Sequence, residues 1–151
     1  MARFRYKMQN ILSIKEKMET QAKQRFAEAK RKLDLEEEAL ERLFRKREEI
    51  DRHAIEVLQG DLDLHEIEDS QMSRIICDQR IEEQKHRVNR ATLELENARA
   101  ELEDAVKERK THEKLKEKQF DEFMREENRS ESKSIDELTT YTYGQKVTEN
   151  G

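Results

Sequence analysis

From Ala22 to Val57 the chain steps alternately by four and three residues through Ala22, Phe26, Ala29, Leu33, Glu36, Leu40, Leu43, Arg47, Ile50, Ala54 and Val57. Nine of these eleven positions are apolar; only Glu36 and Arg47 interrupt them. A period of about 3.5 residues kept up over this length is the mark of a coiled-coil helix. The same spacing reads upstream through Phe4, Met8, Ile11, Lys15 and Met18. The two stretches join by two steps of four at Met18, Ala22 and Phe26, a stutter that locally unwinds a supercoil. A second run passes through Cys77, Ile81, Gln84, Val88, Ala91, Leu95, Ala98, Leu102 and Ala105. It fades after Lys107, where Leu115 stands alone, and resumes at Phe120, Phe123 and Met124.

Nothing in the composition interrupts such helices. The chain has no Pro and three Gly (Gly60, Gly144, Gly151), and Pro is the residue that breaks a helix interior. Charged residues make up 44% and hydrophobic residues 33%, too few apolar side chains for a two-layer globule. High charge with low hydrophobicity also suits disorder. The net charge of only -5 and the abundance of Glu, Lys, Arg, Ala and Leu favour helix instead.

Between the two runs lies Gly60–Ser70, with five acids and no Lys or Arg. Gly60 suits a helix C-cap, and either Asp63 with Glu66, or Asp69 and Ser70, can cap a following helix. The expected fold is therefore all-α, a long two-helix antiparallel coiled-coil hairpin with a flexible C-terminal tail. Its helices cover about 4–59 and 71–129, with a turn at about 60–70. Residues 1–130 form the hairpin and 131–151 a mobile tail, because Ser-Glu-Ser-Lys-Ser and Thr-Thr-Tyr-Thr-Tyr carry no period. Pairing residues whose numbers add to 131 sets Ile50 against Ile81 and Leu43 against Val88, and then Leu40 against Ala91, Leu33 against Ala98 and Phe26 against Ala105, large against small. It also puts Arg47 opposite Gln84. A slip of one heptad, to 124, keeps most such pairs but sets Gln84 against Leu40, and the first register is preferred. A parallel homodimer is the structural alternative; the acidic break near residue 60 argues against it, and the chain is expected to be monomeric when free.

Catalytic patterns find little support. Ser130-Glu131-Ser132-Lys133 fits S-x-x-K but lies in a polar stretch without the enclosed cavity such chemistry requires. His112-Glu113 opens an H-E-x-x-H zinc motif, yet Lys116 stands where the second His belongs. There is no Gly-rich phosphate loop. His53, His65, Cys77, His86 and His112 are scattered, short of the four ligands of a structural zinc site. No enzymatic activity, cofactor, metal or small-molecule substrate is expected. The lone Cys77 reads as a small apolar member of the seam. The opening residues show no apolar signal segment, and no stretch reaches about 18 apolar residues, so a cytoplasmic location is expected.

Charge is unevenly spread. Residues 1–33 hold ten Lys or Arg against Glu16, Glu19 and Glu28, and 107–118 adds Lys107, Arg109, Lys110, Lys114, Lys116 and Lys118. The end that carries both termini is basic and the turn acidic. Nucleic acid is not an expected partner, since the aromatics form no stacking array and the net charge is negative.

Two end motifs resemble the FliJ family. The first is Phe4-Arg5-Tyr6-Lys7-Met8-Gln9-Asn10-Ile11-Leu12-Ser13-Ile14-Lys15-Glu16-Lys17-Met18-Glu19. The second is Glu113-Lys114-Leu115-Lys116-Glu117-Lys118 with Phe120 and Phe123, followed by Ile135-Asp136-Glu137. The resemblance implies an antiparallel coiled coil similar to the central stalk of rotary ATPases. It implies that the terminal end enters the hexameric flagellar export ATPase through Phe4, Tyr6, Lys15, Lys116 and Lys118. Phe4 and Tyr6 cannot share one helical stripe, so at least one is expected to be free for a partner. By the same resemblance the half near the turn contacts the cytoplasmic domain of the export gate through Leu43, Lys46, Ile50, Cys77, Arg80 and Gln84, and engages export chaperones. The assembled protein would sit at the cytoplasmic face of the inner membrane. A generic coiled-coil scaffold, or the stalk of a non-flagellar type III secretion system or rotary ATPase, are the alternatives.

Overall fold

The computed structural model describes residues 3–149, and the ends of the two expected ranges, residues 1–2 and 150–151, lie outside it. Two helices carry the fold, α1 (Gln9–Leu58) and α2 (Leu64–Glu149), and the described residues include no strand. They pack against each other as a helical hairpin. Contacts divide the chain into a central unit, Thr20–Asp104, and a terminal unit, Met1–Glu19 with Ala105–Gly151.

In the central unit the seam closes over small side chains. Ala22, Ala91, Ala98 and Cys77 are buried together with Ile81 and Val57, and the larger Leu33, Leu40 and Leu95 are half-buried beside them. Small residues let the backbones approach, but each contributes little apolar area. Opposed residues have numbers adding to between 120 (Glu36 with Gln84) and 126 (Lys32 with Glu94). The register is thus the one near 124, a heptad from the preferred 131. Polar seam positions decide it. The Gln84 amide does not stand against Leu40 but donates to the Glu36 carbonyl at 2.9 Å and to its carboxylate. Arg47 meets Asp78 across the seam and Asp51 one turn along its own helix. In the other register the Glu36 carboxylate would have faced Leu95, and a buried polar group without a partner costs more than an apolar contact returns.

The turn is shorter than expected. Asp63 caps α2: its Oδ1 accepts the His65 N–H at 3.0 Å and its carbonyl the Ile67 N–H at 3.1 Å. Glu66 is the acid of the first turn, where the helix dipole favours it. The Asp63–Glu66 pair therefore starts α2 at Leu64 rather than near 71, and Asp69 and Ser70 lie inside it. Gly60 is not in the left-handed conformation that a glycine C-cap uses. The end of α1 tightens instead through a Gln59 N–H to Glu56 carbonyl bond of 3.1 Å.

In the terminal unit α1 begins at Gln9, not near residue 4. Residues 3–8 run in non-helical conformation along α2. Phe4 packs edge-on against Phe120, with ring centroids 5.1 Å apart, and tilted against Phe123 at 5.5 Å. Tyr6 and Leu12 are buried. At its other end α2 does not stop near 129: residues 131–149, read from sequence as a tail, are helical. Continuing a formed helix needs no new nucleus. The Thr139, Thr140 and Thr142 hydroxyls each donate to the carbonyl four residues back, at 2.8–2.9 Å, so the Thr-rich stretch satisfies its polar groups locally.

Candidate functional site

A groove runs between the helices of the central unit. Leu43, Lys46 and Ile50 line it from α1, and Ser73, Ile76, Cys77 and Arg80 from α2. It continues toward the turn past Glu49, His53, Glu66, Asp69 and Ser70. Five of the six residues expected at the gate contact, Leu43, Lys46, Ile50, Cys77 and Arg80, thus share one surface. Cys77 forms its floor; the thiol is buried and points to the Leu43 carbonyl at 3.7 Å. Gln84 does not belong to this surface. It is 7% exposed and bound to Glu36 inside the seam. Ile76, 42% exposed on the rim, was missed because the second apolar run was read from Cys77 onward. The Ile75-Ile76 doublet just before it was the available signal. The groove offers an apolar floor framed by Lys46 and Arg80, with acids toward the turn. An apolar floor within a polar rim is the anatomy common to protein–protein interfaces.

The terminal unit carries a cleft lined by Phe4, Arg5, Tyr6, Lys7, Gln9, Asn10 and Lys116. Neither aromatic is free there: Phe4 is held by two rings and Tyr6 is buried. The helical-stripe argument fails because these residues are not helical, so both rings turn inward. They act as anchors that hold the segment on α2, and exposed Arg5 and Lys7 form the rim. Lys116 donates to the Gln9 side-chain carbonyl at 2.8 Å. Lys15 pairs with Glu108 at 2.8 Å and holds that carboxyl below its ordinary pKa, chiefly through the hydrogen bond. Lys118 is exposed. Arg109 bridges Glu19 and Glu113, and these two hydrogen bonds raise its pKa further. The Tyr6 hydroxyl and His112 Nδ1 are buried without a hydrogen-bond partner.

Among the described residues no three His, Cys, Asp or Glu side chains are placed to hold a metal ion, and no helix is long and apolar enough to cross a membrane. Ser130-Glu131-Ser132-Lys133 lies on the exposed surface of α2.

A family described as "Flagellar FliJ protein" matches residues 4–148. Among solved structures, a YscO homologue from Chlamydia trachomatis, CT670, is similar with 26% identity and a TM-score of 0.75, over 93% of this chain and 96% of that one. No curated protein sequence matches the chain.

Proposed function

The chain belongs to the FliJ family of flagellar proteins, and on that premise we propose that it serves type III protein export as the stalk-like partner of the hexameric export ATPase. In this reading the basic terminal unit seats in the ATPase ring through Arg5, Lys7, Lys116 and Lys118. The groove of the central unit meets the export gate and export chaperones. The protein performs no bond chemistry; it acts by contacting some states of the ring more favourably than others, which shifts their populations. Its place of work is the cytoplasmic face of the inner membrane. The observation that carries the reading is the family match from residue 4 to 148, which takes in both surfaces. The excess of Lys and Arg at the terminal cleft supports it, since complementary charge steers docking.

The test adds the purified chain to the export ATPase and measures hydrolysis. The rate rises with the native chain. With Arg5, Lys7 and Lys118 replaced by Glu the rise falls severalfold, while helical circular dichroism is unchanged, because all three side chains are exposed. An unchanged hydrolysis rate, together with normal motility in a deletion strain, rejects the proposal.

A second reading is favoured by the likeness to the YscO homologue: the same role in a non-flagellar type III secretion system. Expression in a motility-deficient strain that lacks its own FliJ separates the two. Restored swimming assigns the flagellar system; a secretion defect with normal swimming on deletion assigns the other.

A further inference from the structure

The turn end of the central unit carries a second apolar surface that neither of these roles uses. α1 stops at Leu58 and α2 starts at Leu64, leaving a cleft between Val57 and Leu58 on one side and Ile67, Ser70 and Gln71 on the other. It shares only Ser70 with the groove described above. Val57 and Ser70 form its floor. Ser70 is 8% exposed and its hydroxyl has no hydrogen-bond partner, a polar group left waiting at the bottom of an apolar cleft. Leu58 lines the cleft and is 60% exposed, and Leu62 and Leu64, which follow it in the turn and at the start of α2, are 70% and 68% exposed. Three leucines this open within seven residues mark an interaction surface.

The chain segment that forms the turn carries charge of one sign. From His53 to Ser73 there is no Lys or Arg, while Glu56, Asp61, Asp63, Glu66, Glu68 and Asp69 are all acidic. Arg74 closes the cleft, but its guanidinium lies 3.7 Å from Asp51, which balances its charge. These acids belong to the turn segment beside the cleft, Glu66 and Asp69 facing the neighbouring groove, and an acidic turn repels nucleic acid and the anionic headgroups of a membrane. It attracts a segment that carries Lys or Arg beside an apolar stripe. A concave gap between two helix ends fits a third helix laid along it, with leucine-type anchors at i, i+3, i+4 and i+7.

We propose that the turn end of the central unit is a docking surface for a basic amphipathic helix of a partner protein. The leucines set the affinity, and the acids set the encounter rate and exclude acidic helices. The proposal goes beyond the stalk reading and needs no ATPase for its test, so either can fail alone.

The experiment titrates the full chain into a fluorescently labelled Leu/Lys peptide of about 18 residues with an apolar stripe at helical spacing. Two controls accompany it: the same composition scrambled to abolish the stripe, and a Leu/Glu peptide with the stripe intact. The stripe peptide binds saturably, the scrambled one about tenfold more weakly or worse, and the Leu/Glu peptide not at all. Leu58→Ser with Leu62→Ser weakens binding about tenfold or more. Asp61→Asn with Glu68→Gln lowers affinity and flattens its salt dependence. Ile76→Ser, in the other groove, leaves binding intact. If the double serine variant loses helicity, Leu62→Lys alone carries the test, since it lies outside both helices and sets a cation against the peptide. Equal binding by the scrambled peptide, or native binding by the leucine variants, overturns the proposal. So does a doubled mass in light scattering that Leu62→Lys abolishes, because a second copy of this chain would then fill the cleft.

Discussion

Gln84 and Glu36 show how one polar pair sets the alignment of two long helices. Both sit at positions the heptad reserves for apolar side chains, and each is satisfied by the other. Replacing Gln84 by Ala removes the donor to the part-buried Glu36 carbonyl and carboxylate and opens a small void. The expected loss is about 1–3 kcal/mol, read as a lower midpoint in thermal circular dichroism. A midpoint unchanged in Gln84→Ala would mean that the pair does not hold the register. The heptad itself was legible because apolar and charged residues alternate so strictly from Ala22 to Val57. Its register was not, because both alignments set large side chains against small ones, and the choice fell to polar contacts whose geometry no spacing encodes. The aromatic anchors were misassigned for a related reason. Phe4 and Tyr6 were read on a helix, and a non-helical segment turns both inward.

A second residue-scale prediction concerns pH. Glu108 is held below its ordinary pKa by Lys15, so its carboxylate form is favoured when folded. The contribution is therefore present above the unfolded pKa and lost as pH falls through the folded one. The group is fully exposed, and solvent screens the pair. The measurable consequence is local: Lys15→Met moves the Glu108 titration, followed by carbon-detected NMR, upward toward the ordinary glutamate value. An unmoved titration would show that Lys15 does not set it.

At the scale of elements, the two ends of α2 depend on different forces. Its start is a cap, and Asp63→Ala removes the acceptor for the His65 N–H, at an expected cost of about 0.5–2 kcal/mol. The sequence offered two capping pairs of equal chemical merit, Asp63 with Glu66 and Asp69 with Ser70. The first wins because it places Ile67, Ser70, Cys77 and Ile81 on the face turned to α1. Residues 131–145 of α2 have no such face. Ile135, Leu138, Tyr141 and Tyr143 are all exposed, and residues 131–145 bury nothing. The sequence shows no period there, and the structure gives it no core through residue 145; the helix nevertheless runs on through the stretch expected to be a mobile tail, because helix can propagate without burial. Truncation after Ser130 should then remove helical signal in proportion to the residues lost. It should leave the thermal midpoint within about 2 °C of the full chain, since surface changes away from packing move stability little. A large fall in the midpoint would show that this segment packs.

For the molecule as a whole, the decisive quantity is how little it buries. It exposes 12595 Å², where a compact domain of 18.2 kDa would expose roughly 8100 Å². A seam of alanines, one cysteine and few large side chains leaves modest stability. That seam is already filled by the chain's own two helices, so light scattering should return 18.2 kDa rather than twice it. Modest intrinsic stability makes the fold responsive to partners, because whatever binds only the folded state stabilises it by mass action. At a free ATPase concentration of about 100 times Kd the gain is about 2.7 kcal/mol. For a chain of this size that amounts to about 5–10 °C. Heating the mixture with a protease and counting surviving peptides of this chain by mass spectrometry reads its melting separately from that of the ring. Protection should begin in residues 3–19 and 105–124, where the basic cleft lies, and be lost when Arg5, Lys7 and Lys118 become Glu. A melting curve that does not move at saturating ATPase would mean that the terminal unit has no such partner, whatever its charge.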